Sequence, residues 1–264
     1  MRWFIIFLLL ISHKISYGQH YLDFYFSTKE VDGSIIIYNE SDDWWVFNHE
    51  LDTKSATPPA ATFHLFHALV ALELGVINPN EPKLWNGVKN YYFGEPRPQW
   101  HCDTTLGDAV FFQNDWYFDQ ISQKIREKDY NFFIKESNYA QKRFSKPFPY
   151  SWNFGEFVIT PKQQVDFLIG LFQQDLPFNP ENQKWVTEQM NRHETEDYTL
   201  FSYEGYTVHK AEHVDWLIGV LERKGKRYFF CTRIRKPIYQ QKGSDFHQIK
   251  HQITFESFKI LGYL

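Results

Sequence analysis

The stretch that most constrains the fold is PPAATFHLFHALVALELGVI, Pro58 to Ile77. A double proline breaks the preceding chain, because proline fixes φ and has no N–H to donate. Beyond it Phe63, Phe66, Ala68, Leu69, Leu72 and Leu74 recur at spacings of three and four, which is a helical period. Gly75 is a natural stop for that helix.

Around this helix the pattern changes in blocks. GSIIIYN (Gly33 to Asn39) is a β-branched run between turn residues and predicts a strand, with WWVFN (Trp44 to Asn48) as its hairpin partner. From about Asp103 to Arg192 the segments read as helices. The clearest is TPKQQVDFLIGLFQQ, where Thr160 caps, Pro161 suits the first turn, and Val165, Phe167, Leu168 and Leu171 recur. LFSYEGYTV, VDWLIGVLER and RYFFCTRI then predict three strands at short spacing, and DFHQIKHQITFESFKILGYL closes as an amphipathic helix. Strands, a helix, a helical insert, strands and a helix predict an α+β fold with a separate helical lobe.

With 264 residues the chain has room for one large domain or two small ones, and 43% hydrophobic content is ample for a packed core. A net charge of −4 argues against nucleic acid as a partner. At the N-terminus Arg2 precedes the apolar run Trp3 to Ile11 and the polar stretch ending Ser16-Tyr17-Gly18. That is the pattern of an export signal over residues 1–18, too short for a membrane span, which needs roughly 20 apolar residues. The mature chain is expected from Gln19 to Leu264, exported to a periplasm or secreted. Cys102 and Cys231, the only two cysteines, are compatible with one disulfide that sequence alone cannot assign.

Several segments together resemble the class D β-lactamases and, more broadly, the penicillin-recognising serine enzymes. PAATFH followed by ALVALELG is similar to that family's P-A-S-T-F-K and A-L-I-A-L-E-x-G segments. WNG (Trp85 to Gly87), WHCDTTLGDA (Trp100 to Ala109), WNFG (Trp152 to Gly155), DWLIGVLE followed by YFF, and QITFESFKILGYL are similar to later signatures. The resemblance spans nearly the whole mature chain. It implies one serine β-lactamase/transpeptidase-like domain over residues 19–264, an antiparallel sheet flanked by helices, with a helical lobe over about residues 86–194.

The chemistry that the resemblance implies is missing from the matched positions. In the family a serine attacks the lactam carbonyl, and a lysine three residues later, often carrying a carbamate, is the base. One helical turn puts such a pair within proton-transfer reach. Here those positions hold Ala61 and His64. The S-x-V element corresponds to Gln113, Asn114 and Asp115, and the K-T-G strand element to Tyr203, Glu204 and Gly205. The Y-G-N-like segment reads Tyr139, Ala140 and Gln141, and a late carboxylate-binding arginine corresponds loosely to Lys250. Trp152, which in the family supports the modified lysine, is kept. No serine is followed by a lysine three residues later; Thr207 and Lys210 have that spacing but follow the strand motif. No catalytic residue, cofactor or metal is expected.

Three readings of His64, Asp115 and Glu204 stay open: polar residues filling a cleft without function, a cleft for another ligand, or a new hydrolytic site. The second takes Asp115, Glu204, Gly205, Trp152 and Lys250 as lining. Two carboxylates disfavour an anionic ligand, so a neutral or cationic one is expected, either a cell-wall fragment or a protein. The third pairs His64 with Asp115 or Glu204, or adds His67 and a metal. HKAEH (His209 to His213) is read as part of a hairpin, where helical ligand spacing does not apply. Trp100, Asp103 and Trp216 are read as structural.

Overall fold

The computed structural model describes residues 21–146 and 149–264. The expected export signal, residues 1–18, lies outside them. Residues 21–28 are helical (α1). There follow β1 (Asp32–Asn39), β2 (Trp44–Phe47), α2 (Glu50–Thr53) and a 3-10 turn (Ala60–Thr62) that leads into α3 (Phe63–Glu73). A small ribbon, β3 (Tyr91–Tyr92) with β4 (Glu95–Pro96), precedes α4 (Leu106–Phe111), α5 (Asp115–Lys124) and α6 (Glu127–Glu136). Next come α7 (Ser151–Phe154), α8 (Pro161–Gln173), α9 (Pro180–Glu188), β5 (Asn191–Glu194), β6 (Thr199–His209), β7 (Glu212–Arg223), β8 (Lys226–Pro237) and α10 (Phe246–Ile260).

Six strands form one antiparallel sheet in the order β2-β1-β8-β7-β6-β5. Side chains alternate across a strand, and here the alternation divides two cores. Ile35 and Ile37 of β1, with Leu217, Leu221, Phe230 and Ile234, pack against Phe246, Ile249, Ile253 and Phe258 of α10. Ile36, with Tyr203, Trp216, Ile218, Phe229 and Cys231, packs toward α3, α8 and the other helices. The sheet is therefore a middle layer between α10 and the helical side.

Helix α3 lies inside that second core, with every residue from Phe63 to Ala71 buried. Its end is set by Gly75, whose φ of +60° is open to glycine at little cost. Gly75 N–H donates to Leu72 O and Val76 N–H to Ala71 O, the paired bonds that satisfy the last carbonyls of a helix. The start of α8 follows its sequence as well. Thr160 and Gln163 form a reciprocal capping box, with Pro161 in the first turn.

The cysteines do not pair: Cys102 is exposed and Cys231 buried, both as free thiols. That answers the pairing the sequence left open. Cys231 is fully buried in the sheet core on β8. Among the described residues no helix is long and apolar enough to cross a membrane.

Candidate functional site

The site is built where β6 meets the head of α3. Period-two alternation sends Tyr203, Gly205 and Thr207 to the α3 side of the sheet and Glu204 and Tyr206 to the α10 side. Tyr203 accordingly belongs to the core around α3 and Tyr206 to the core around α10.

On the α3 side the packing is tight. A Cβ added to Gly205 would stand 2.9 Å from both Ala61 N and Thr62 N, so the strand backbone rests on the turn that opens the helix. Ala61 is only 2% exposed. Ala60 holds a left-handed φ of +53°, an uncommon conformation for a residue with a Cβ. Trp216 Nε1 donates to Pro58 O at 2.9 Å, and Gln164 Nε2 to Thr62 Oγ1 at 2.6 Å, so the turn is clamped from both sides. Tyr203 OH donates to Val110 O at 2.7 Å. Burial first, then the negative charge of Asp115, push its pKa well up. Tyr203 is thus a packing residue, where a lysine would have offered a charge.

His64, the second residue of α3, is fully buried. Its Nε2 stands 2.9 Å from Asp115 Oδ1. The approach is too angled to count as a straight hydrogen bond, and Nδ1 has no partner; at this separation the electrostatic coupling is set by distance more than by angle. Its ring stacks on Phe118 with centroids 4.0 Å apart and meets Trp152 edge-on. Burial lowers its pKa, with Asp115 opposing. Asp115 is buried too, at the first turn of α5, whose Asn114 cap accepts from Tyr117 N. A carboxylate is favoured at a helix N-terminus. Trp152 Nε1 donates to Asp115 Oδ1 at 3.1 Å and Asn153 Nδ2 to Oδ2 at 2.8 Å. Trp152 therefore supports a carboxylate carried by α5. Gln113 sits just before, half-buried, in a left-handed turn with φ +53°.

His67 does not join this pair. It meets the Tyr130 hydroxyl in the core. Burial, then the neighbouring His64 and Lys146, hold its pKa well below the usual histidine value.

Glu204 faces the other way. Its Oε2 lies 2.6 Å from Lys250 Nζ and its Oε1 3.2 Å from His251 Nε2. Lys250 also lies 2.6 Å from Asp215 Oδ1, and His247 Nδ1 is 2.6 Å from Asp215 Oδ2. Burial works against the Lys250 charge, but Asp215 and Glu204 outweigh it and raise its pKa. Burial would raise Glu204, yet His251 and Lys250 bring it down to about 2.

The expected arrangement is corrected in three ways. Asp115 and Trp152 are buried and bonded to each other, where lining of an open cleft was expected. Glu204 does not approach His64, because adjacent strand residues face opposite sides of the sheet. Lys250 is saturated by two carboxylates and has no free charge to offer a ligand. Asp215 was missed, although strand register could have found it. It lies opposite Tyr206, two residues from Glu204 and on the same face. Thr207 and Lys210 are not brought together: Thr207 is buried and donates to Asn153 O, while Lys210 is exposed in the β6–β7 turn. His209 and His213 lie at that hairpin's ends, as read from sequence. Among the described residues no group of three His, Cys, Asp or Glu side chains stands together to hold a metal ion.

The comparisons with known proteins agree with this frame. Residues 37–254 match the model of the penicillin binding protein transpeptidase domain. The regulatory protein BlaR1 of Bacillus licheniformis is 27% identical over 213 residues, 80% of this chain but 34% of that protein. The chain thus spans about a third of that relative. The probable β-lactamase YbxI of Bacillus subtilis is 26% identical over 208 residues, 78% of this chain and 75% of that protein. The crystal structure of a class D β-lactamase from Sebaldella termitidis superposes with a TM-score of 0.85 at 29% identity, covering 92% of this chain and 96% of that one.

Proposed function

The chain belongs to the penicillin binding protein transpeptidase domain family, and from that membership we propose an exported class D β-lactamase-like protein without serine acyl transfer, a pseudoenzyme. The observation that carries the proposal is Ala61, a methyl group at the head of α3 where the family holds its nucleophile. A side chain without a nucleophilic atom forms no acyl-enzyme. Tyr203 at the strand lysine position and Gln113 at the S-x-V serine support the same reading.

What remains is a fold with a non-covalent ligand or protein partner. Tyr203 in place of a strand lysine removes the charge that would hold an anion, which leaves a neutral or cationic ligand as the expected class. Export, to a periplasm or outside the cell, rests on the N-terminal pattern. Similarity to a regulatory protein suggests a β-lactam sensor, but a sensor that works by acylation needs the same serine. The competing reading is a hydrolase of another class using His64 and Asp115, favoured by their 2.9 Å approach.

Hydrolysis of a chromogenic cephalosporin at micromolar protein tests the main reading. The expected rate is that of buffer alone; turnover lost on removing His64 would establish the competing one. Thermal-shift titration with neutral, cationic and anionic cell-wall fragments tests the ligand, with stabilisation expected from the first two classes only.

A further inference from the structure

Helix α6 carries Lys128, Phe132 and Lys135 at spacings of four and three, which puts them on one face. Phe132 is 57% exposed there, a large apolar side chain between two cations. The helix ends at Asn138, whose φ of +50° is one that asparagine tolerates at a helix end. Asn138 N–H donates to Lys135 O and Tyr139 N–H to Ile134 O, and the chain turns back along the helix. Asn131 fixes the returning segment: its Nδ2 donates to Phe144 O and its Oδ1 accepts from Phe144 N–H, both at 2.8 Å. Between helix and segment lies a groove of about 650 Å³, within the range of ligand pockets, roughly 300–1,000 Å³. Its walls are held before any ligand arrives, which lowers the cost of binding.

The lining divides by chemistry. Ile134 and Ala140, both buried, and Phe132 give it an apolar part, while the exposed Lys128, Lys135, Lys142 and Arg143 give it positive charge. Among the described residues no carboxylate lines it. The acids of α6 are engaged elsewhere or only loosely paired. Arg126 holds Asp129 by two hydrogen bonds, and Lys146 N–H donates to Glu127 Oε1 at 2.7 Å. Glu136 lies 3.4 Å from Lys135, and Glu156 of the α7–α8 loop 3.9 Å from Lys142. Exposed pairs of this kind hold weakly, so both ammonium groups stay available. Lys128 and Arg143 form no salt bridge among the described residues. In a chain of net charge −4 this is a local reversal of sign over an apolar floor. Cations select an anion, and the floor selects an apolar body. A single chain reaches Ile134 and Ala140, which a flat bilayer surface does not. We propose that this groove binds a monomeric amphiphilic anion, an apolar chain ending in a carboxylate, phosphate or sulfate. The groove shares no residue with the cluster around Ala61 and His64, so the proposal stands apart from the reading of Ala61.

Isothermal titration calorimetry with monomeric dodecanoate tests it, and one saturable site per chain is expected. Affinity should fall about two- to fourfold for each methylene removed between dodecanoate and octanoate, because each removal leaves less apolar surface to bury. Acetate, a head without a chain, and dodecyl maltoside and dodecyltrimethylammonium, chains with a neutral and a cationic head, should each bind at least about tenfold more weakly than dodecanoate. Lys128→Glu with Arg143→Glu should weaken dodecanoate at least about tenfold. Lys89→Glu with Lys224→Glu makes the same change of charge at exposed positions elsewhere and should leave the affinity within about twofold. Equal binding of the neutral or the cationic amphiphile overturns the proposal. So does an affinity indifferent to chain length, an equal loss in the two double variants, or no saturation by dodecanoate. Binding to phosphatidylglycerol vesicles without binding of monomeric dodecanoate would make the surface a membrane contact and overturn it as well.

Discussion

Strand β6 meets the 3-10 turn that opens helix α3 through Gly205 and Ala61, so closely that a Cβ on Gly205 would stand 2.9 Å from the Ala61 nitrogen. The atoms in the way are backbone, which cannot rotate aside. Gly205→Ala should therefore destabilise the fold by about 1–3 kcal/mol, the usual range for overpacking a tight core. Urea midpoints of the two proteins at equal slope measure it.

Removing Lys250 leaves Glu204 and Asp215 with only His251 and His247 beside them in a largely buried setting. Breaking a buried pair by removing one partner costs about 3–5 kcal/mol, because the remaining charge is left uncompensated. Lys250→Met should fall in that range. Adding Glu204→Gln should recover part of the loss, because one of the stranded charges is then gone. A double-mutant cycle on denaturant midpoints gives the coupling, expected to be favourable.

Acid should weaken the fold in two stages. His64 and His67 have pKa values lowered by burial. Below about pH 6.5 the unfolded chain takes up protons there that the folded chain refuses, so stability falls as pH drops. Glu204, held at about 2 against an ordinary 4.5, contributes stability that is full above about 4.5 and lost as pH falls toward 2. Urea midpoints from pH 8 to pH 3 should decline through both windows, and Glu204→Gln should flatten the lower one.

The two thiols should behave differently. Cys102 is exposed, while Cys231 is buried with its pKa pushed well up by burial. Titration with a thiol-reactive chromogen should count one group in the native protein and two after denaturation. A count of zero that rises to two only on reduction would point to a disulfide.

Where the residues carry a local signal, the sequence was a sound guide to the fold. The β-branched run of β1, the capping box of α8 and the glycine stop of α3 each fall where propensity and pattern place them. Strand β5 was missed because Asn191, Arg192, His193 and Glu194 have no apolar alternation to read; the strand exists because β6 offers it an edge. The residues at the positions matched by the resemblance were legible one by one, since Ala61 carries no nucleophilic atom whatever surrounds it. Their grouping was not legible. Whether Glu204 faces α3 or α10 depends on strand register, and Asp115 reaches His64 only because α5 docks beside α3. Long-range packing decides both, and it leaves no local mark in the chain.

The central claim is that acylation was lost at Ala61, and intact-mass spectrometry of the mature protein after incubation with a penicillin and a carbapenem tests it most directly. The account predicts an unchanged mass for the natural protein with both compounds. A stable covalent adduct on the natural chain, mapped to any residue, would contradict it.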